Sequence, residues 1–471
     1  MAELTTDATL AAPATTRARA GLGFRVLFSA SIGVIVAQVG MVSMMQGIGI
    51  GGWGFVVALF AAFAIAMSNA LAFAEMALLL PSSGSLSTYA EAALGNFPAI
   101  LLVFAGYITP AIFGLPAELI LAEQILTQAV PIGLPPFTWP IALIVLFAVL
   151  NMLGSDVFAR VQTALSFTVL CFLAVTGLVA ISGHAAAPAL AATASAAPGM
   201  AQDSVILGVV ALAFWVFVGS EFVTPLVTEA RNPDRDLPRA MIVGLLVVFA
   251  AELVFGIGAG LLIPRDKLTG SPTPHLDYAV AVFGPSARVW FAGLALVASA
   301  SLVNTVLASI PRMLHGMAHN GQVFPIFKYQ HPSRKTPVVA ILFVAALPVV
   351  GIVWSGGDPG SILPLTIAAS VAWLLAYIMA QVSLIVLRRR YPQRARPFKV
   401  PGYPLVPVLA IAGMVFVVSN SSPAPEMTAQ IVRYTGIVLG LFAVVGAVWV
   451  KGVMKKGLFE PTLPAGMKDG Q

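Results

Sequence analysis

Residues 31–54 read SIGVIVAQVGMVSMMQGIGIGGWG, and residues 209–225 read VVALAFWVFVGSEFVTP. Both stretches belong to apolar runs, 24–48 and 204–228, and both are interrupted near the middle. In the first, Gly33 and Gly40 flank a polar Gln38; in the second, Gly219-Ser220-Glu221 is followed by Pro225. A glycine inside a helix costs about 1 kcal/mol relative to alanine. A carboxylate inside a bilayer costs several kcal/mol more. An interrupted span exposes half-helix N-termini to anions and bare carbonyls to cations. Two interrupted runs five spans apart are what an inverted repeat would produce. Close helix packing through glycine accounts for either run alone; the matched pair favours two broken helices.

Composition makes lipid the solvent. Of 471 residues, 59% are hydrophobic and 9% are charged, well below the roughly 25% charged of a soluble domain. A spanning helix needs about 20 mostly apolar residues. Such runs fall near 24–48, 53–80, 97–128, 138–153, 157–183, 204–228, 239–263, 286–317, 337–355, 361–387, 403–420 and 430–450. The expectation is an all-α polytopic membrane protein of 12 transmembrane helices. The 42 glycines and 34 prolines fit spans whose neighbours satisfy the freed backbone groups.

With the N-terminus inside, all of the 25 Lys and Arg lie on the cytoplasmic side except Arg265, Lys267, Arg288 and Arg433. That is the positive-inside pattern; the expectation is a multi-pass protein of the plasma membrane with both termini in the cytoplasm. The net charge of +6 is therefore topological, with no nucleic-acid partner implied. Residues 1–22 read as a disordered tail, 23–455 as the transporter domain, and 456–471 as a second cytoplasmic tail; 184–203 is a small-residue outer loop. Residues 47–54, GIGIGGWG, mimic a dinucleotide fingerprint but follow a membrane helix instead of a strand, so they read as an outer turn. The single cysteine, Cys171, excludes an intrachain disulfide and a thiolate metal cluster, and no metal or cofactor is expected.

Five acids fall within the runs: Glu75, Glu118, Glu123, Glu221 and Glu252. No lysine or arginine sits at the centre of any run, so the interior reads as acidic without a fixed counter-charge. A proton, a metal cation such as sodium or a cationic ligand would supply the balance. The alternative is a protonated acid bonded to backbone. No G-x-x-x-x-G-K-[ST] loop is present, which excludes an ATP motor of that type within the chain. The five histidines (184, 275, 315, 319, 331) lie in loops or at span ends, which leaves no catalytic pair and no enzyme.

Four motifs carry a resemblance. Glu75-Met76-Ala77 runs into PSSGSLSTYAEAALG (81–95); Gly219-Ser220-Glu221 is followed by EARNPDRDLPRA (229–240); PRMLHGMAHNGQVFPIF (311–327) precedes KTP (335–337); and RPFKVPGYPLVP spans 396–407. In this order and spacing the chain resembles the amino acid–polyamine–organocation transporter superfamily over residues 22–455.

The resemblance implies a 5+5 inverted repeat, with helices 1–5 (about 24–183) repeated as helices 6–10 (about 204–387), discontinuous helices 1 and 6, and two further helices (403–450). It implies secondary active transport of amino acids or related amines by alternating access, coupled to a proton or another cation, or else exchange without net ion coupling; a transporter-derived sensor is the further alternative. The implied substrate-binding positions are Gly33, Ala37, Gln38, Val39 and Gly40 in helix one, and Trp215, Gly219, Ser220 and Glu221 in helix six. Ala37-Gln38-Val39-Gly40-Met41 replaces the glycine-rich break of the family, which tilts the substrate toward an amine or an atypical amino acid. Trp215 would stack on a substrate cation. Glu221, with Glu118 and Glu123, would serve coupling or gating. Ser299, Ser301 and Thr305 would contribute to a cation site. The helix-five lysine of some proton-coupled members is absent, since Thr168 and Val169 fall there.

Overall fold

The apolar runs become helices because a chain in lipid must satisfy its own N–H and C=O groups. The computed structural model describes residues 21–188, 209–356, 362–420 and 425–463. The N-terminal tail up to residue 20, the outer loop from 189 to 203 and the start of the sixth run lie outside the described residues, as do 464–471 of the C-terminal tail.

In chain order, the first run divides into α1 (Phe24–Ile32) and α2 (Gln38–Gly51). There follow α3 (Trp53–Leu79), α4 (Leu86–Leu94), α5 (Asn96–Val103), α6 (Thr109–Ala129), α7 (Thr138–Met152) and α8 (Ser155–Ile181). A π-helical turn, Phe104–Ile108, joins α5 to α6. The sixth run divides into α9 (Val210–Trp215) and a 3-10 segment, Ser220–Glu229. Then come α10 (Pro233–Leu262), the short α11 (Arg265–Gly270) and α12 (Pro274–Phe283), α13 (Ala287–His319), α14 (Val338–Ser355), α15 (Ile362–Arg390), α16 (Leu405–Ser419) and α17 (Pro425–Val448).

Among the described residues, nine helical segments are long and apolar enough to cross a membrane, and α7 and α16 are shorter apolar helices. No strand forms among them; a single bridge joins Leu22 to Ala230. The outer turn expected at 47–54 is narrower than read. Residues 47–51 continue α2, and the turn is Gly52 alone, at φ +57°. A side chain at φ > 0 is strained, and one of the five glycines in this stretch takes that conformation.

The interior is organised around α1, α2, α9 and α13, with α3, α6, α8, α10 and α15 packed about them. Glycines set the approach of α10. A Cβ on Gly244 would lie 2.8 Å from Ser31 Oγ, and one on Gly260 would lie 3.2 Å from Ile48. α16 and α17 lie outside, and present Leu405, Leu409, Ile437, Leu441 and Val444 on the surface, as a lipid-facing helix must.

Candidate functional site

α1 ends at Ile32 and α2 begins at Gln38, so Gly33–Ala37 leave the helical ladder. Ile35 and Val36 N–H both close on Ile32 O, each at 3.0 Å, and the chain then turns extended at Ala37. α9 ends at Trp215, and the chain re-forms a helix at Ser220 through Gly219 at φ +121°. The two breaks touch: a Cβ on Gly219 would lie 2.6 Å from Val34 Cβ. Both discontinuities read from the sequence are therefore present, and they meet inside the bundle.

The breaks orient two acids. At the first, the N-terminus of α2 is bound by Glu118 of α6. Gln38 N–H donates to Glu118 Oε1 at 3.1 Å and Val39 N–H to Oε2 at 2.9 Å. Ser299 Oγ adds a third donor at 2.6 Å. The Gln38 side chain donates to Ser299 Oγ at 2.7 Å and accepts from His275 Nε2 at 3.1 Å. Initial amides of a helix have no partner within it and carry positive potential, so a carboxylate satisfies both needs. Gln38, read as a side chain facing the solute, is instead fully engaged by protein. Gly40 lies in the first turn of α2, its N–H returning to Ala37 O at 3.1 Å.

At the second break, Glu221 Oε1 accepts from Trp373 Nε1 at 3.1 Å, and Oε2 accepts from the Tyr377 hydroxyl. Both donors come from α15. Between the breaks lies a cavity of about 20 Å³ lined by Val34, Tyr107, Gly114, Trp215, Phe222 and Trp373, among others. Its rings meet edge to face: Tyr107 on Phe222 at 5.1 Å, Phe222 on Trp373 at 5.6 Å and Trp215 on Trp373 at 5.8 Å. Trp215 lines the cavity, whereas Glu221 and the buried Ser220 stand behind its ring wall. The Tyr107 hydroxyl is buried and has no hydrogen-bond partner among the described residues.

A larger cavity, about 660 Å³, opens at the end of the bundle that carries the basic loops. Ser155, Glu229, Arg231, Arg312, Arg334 and Lys335 line it. Arg312 Nε meets Glu229 Oε1 at 2.7 Å, and Ser155 Oγ meets Glu229 Oε2 at 2.6 Å. On α13, Ile310 lines the small cavity and Arg312 the large one, so about half a turn of helix separates them. Phe222, held through its carbonyl by Ser309 Oγ at 2.5 Å, lies between.

The hydroxyl set of α13 does not act as a unit. Ser301 Oγ donates to Gly33 O at 2.9 Å, the one helix-one carbonyl the set reaches. Ser299 faces Glu118, and Thr305 bonds back to Ser301 O at 2.9 Å. Gln162 of α8 fills the space beside Ser301: its Nε2 donates to Ser301 Oγ at 2.8 Å and Ser166 Oγ at 2.9 Å, and its Oε1 accepts from Asn304 at 2.9 Å. Gly33 is pressed against Thr305 and Gln162, away from the small cavity.

Glu75 corrects the picture of an interior without counter-charge. Arg388 Nη2 meets Glu75 Oε2 at 2.5 Å, Arg396 Nε lies 3.3 Å from Oε1, and Val400 N–H donates at 2.7 Å. Those arginines follow the tenth run in sequence, and only the packing of α15 on α3 brings them back. Glu123 lies near the far end of α6 and accepts from Phe137 N–H at 3.0 Å, remote from both breaks. Glu252 is fully buried, and neither carboxyl oxygen has a partner among the described residues.

Tyr107, Gln162, His275, Trp373 and Tyr377 were not singled out from sequence. Tyr107 sits in the π-helical turn, a kind of irregularity that often marks a functional position. His275 lies outside the spans, on α12, and burial pushes its imidazole down to about 3.

Comparison with known proteins agrees with this architecture. A model of the amino acid permease family matches residues 22–448. The branched-chain amino acid permease of Bacillus subtilis is 27% identical over 381 residues, 74% of this chain and 77% of that protein. The serine/threonine exchanger of the same organism is 27% identical over 80% of this chain and 84% of its own length. Among solved structures, a manganese transporter from Eremococcus coleocola superposes with a TM-score of 0.60 over 91% of this chain and 94% of that one, at 14% identity, a likeness of fold alone. Matched by the family's model over nearly all of its described residues, this multi-pass helical membrane protein belongs to the amino acid permease family.

Proposed function

We propose that the protein is a secondary active transporter that carries an amino acid or related amine by alternating access, across twelve spans arranged as a five-plus-five inverted repeat with two appended helices. The observation that carries the reading is the contact of the two breaks at Gly219 and Val34, beside a ring-lined cavity. A broken helix at the bilayer centre is otherwise costly, since its backbone groups lie in hydrocarbon without water. The relatives' names point to amino acids as cargo.

The cavity's aromatic walls suit the solute's ammonium, a cation–π contact worth about 0.5–2 kcal/mol, once the space of about 20 Å³ seen here widens to admit it. Tyr107 offers it a free hydroxyl. Glu221, tied by Trp373 and Tyr377 to the cavity wall, is the coupling group: its charge is compensated by hydrogen bonds alone, so gain of a proton and gain of a cation are equivalent ways of neutralising it. Gln162 occupies the position beside Ser301 and Gly33 with its own N–H donors, which favours a proton over sodium as the coupling ion. Release proceeds into the larger cavity when the 3-10 segment carrying Phe222 swings from Ser309. Exchange is the second reading, favoured by the likeness to the serine/threonine exchanger.

Purified protein in proteoliposomes should accumulate amino acids or amines saturably when a proton gradient is imposed, and less so under a sodium gradient. Glu221→Gln should abolish the pH dependence of uptake and lower it at least tenfold, while the protein still inserts and folds. Wild-type kinetics across pH in that variant would remove Glu221 from the mechanism.

A further inference from the structure

We propose that Glu118 is a built-in substitute for a solute carboxylate, so that this chain selects amines that lack one. The inference rests on the transporter reading above and names the substrate class of that same site. Its starting point is a filled anion site. The leading amides of a helix that begins at a membrane-interior break are the natural seat for an anion, since they carry both unpaired N–H groups and the positive end of the helix dipole. Here those amides, Gln38 N–H and Val39 N–H, are already spent, one on each oxygen of Glu118.

Among the described residues, each partner of that carboxylate donates to it. Ser299 Oγ gives its proton to Oε1 at 2.6 Å, because the hydroxyl oxygen is itself occupied by Gln38 Nε2 at 2.7 Å. Gln38 Nε2 also reaches Oε1 at 3.4 Å. Donors on both oxygens are the set that a solute carboxylate at this helix start would receive. His275 holds the far side of Gln38, so the arrangement is braced from α6, α12 and α13 together.

Glu118 lies one turn along α6 from Gly114 and Leu115, which line the small cavity. The α2 N-terminus, which starts four residues after Val34 of the cavity wall, therefore has its positive potential already cancelled by Glu118. Neither the residues lining that cavity nor the partners of Glu118 and Glu221 include a lysine or arginine among the described residues. A carboxylate entering there would have two acids just beyond the cavity wall and no cation to pair with. An amine without one meets four rings backed by those acids, an environment that recognises an organic cation.

The test pairs each amine with its amino acid: isoamylamine with leucine, tyramine with tyrosine, putrescine with ornithine. In proteoliposomes, the wild-type protein should take up at least one amine with a kcat/KM at least tenfold above that of its partner. Glu118→Ala frees both amides and should reduce that preference tenfold or more, through better uptake of the amino acid. Glu118→Gln, which keeps the shape of the side chain, reads the same ratio if the alanine variant does not insert. Equal use of amine and amino acid by the wild type overturns the proposal and leaves the transporter reading intact, as does a ratio unchanged in both variants. Failure to accumulate either member of every pair, or any amino acid, overturns the transporter reading and the proposal with it.

Discussion

At the scale of single residues, the buried acids divide by their partners. Glu118 and Glu221 each receive hydrogen bonds from a different break or its neighbours, whereas Glu75 is an ion-pair centre. Breaking a buried pair leaves an uncompensated charge, at a cost of about 3–5 kcal/mol. Glu75→Gln would strand Arg388 and Arg396, whose side chains are 16% and 5% exposed. The expected result is a loss of about 3 kcal/mol of stability, read as a lower melting temperature in detergent, with an unchanged KM for whatever solute the folded fraction carries. Sequence alone left Glu75 among the functional candidates because Arg388 stands 313 residues away, at the end of another run. Spacing reveals partners on one helix and is silent about partners on two.

At the scale of elements, the breaks rest on backbone conformation as much as on side chains. Gly219 adopts φ +121°, and its missing Cβ makes room for Val34. Gly219→Ala would add strain of about 1–3 kcal/mol and push the 3-10 segment off α1. Uptake should fall at least tenfold while most of the protein still inserts; an alanine variant with wild-type kinetics would separate that backbone contact from the transport cycle. Gly33, read from sequence as an equivalent position, differs in kind. It has ordinary helical dihedrals and serves close packing against Gln162 and Thr305. The two glycines look alike in a string of letters, since φ is a property of the folded chain. The 3-10 pitch of the segment after Gly219 was likewise unreadable, because Gly219 and Pro225 signal an interruption without fixing which helix follows.

At the scale of the whole molecule, His275 ties the outer layer to the first break. Its Nε2 donates to Gln38 Oε1, its Nδ1 has no partner among the described residues, and the ring packs on Phe291 at 5.4 Å. Protonation would place an N–H against an apolar wall, so the folded protein keeps the neutral imidazole, with its pKa pushed down to about 3 from 6.5. The unfolded chain takes up the proton first. The stabilisation is thus complete above about pH 6.5 and is lost progressively as the pH falls toward 3. Melting temperature measured from pH 8 to pH 4 should decline in the wild type, and the decline should be shallower in His275→Gln, which retains a donor to Gln38.

Composition and periodicity alone determined that lipid is the solvent, where the apolar runs lie, and that the first and sixth are interrupted. These follow from local properties: hydropathy over about 20 residues, and the conformational cost of glycine within a helix. The order and spacing of four short motifs pointed to the family. Tertiary structure decided the rest: that the breaks touch, that Glu118 caps α2, that Glu75 is paired, and that Tyr107, Trp373 and Tyr377 join Trp215 and Glu221. Each of those contacts links residues dozens to hundreds of positions apart, and their free energy arises only when helix packing brings the groups within bonding distance, where no local pattern records it.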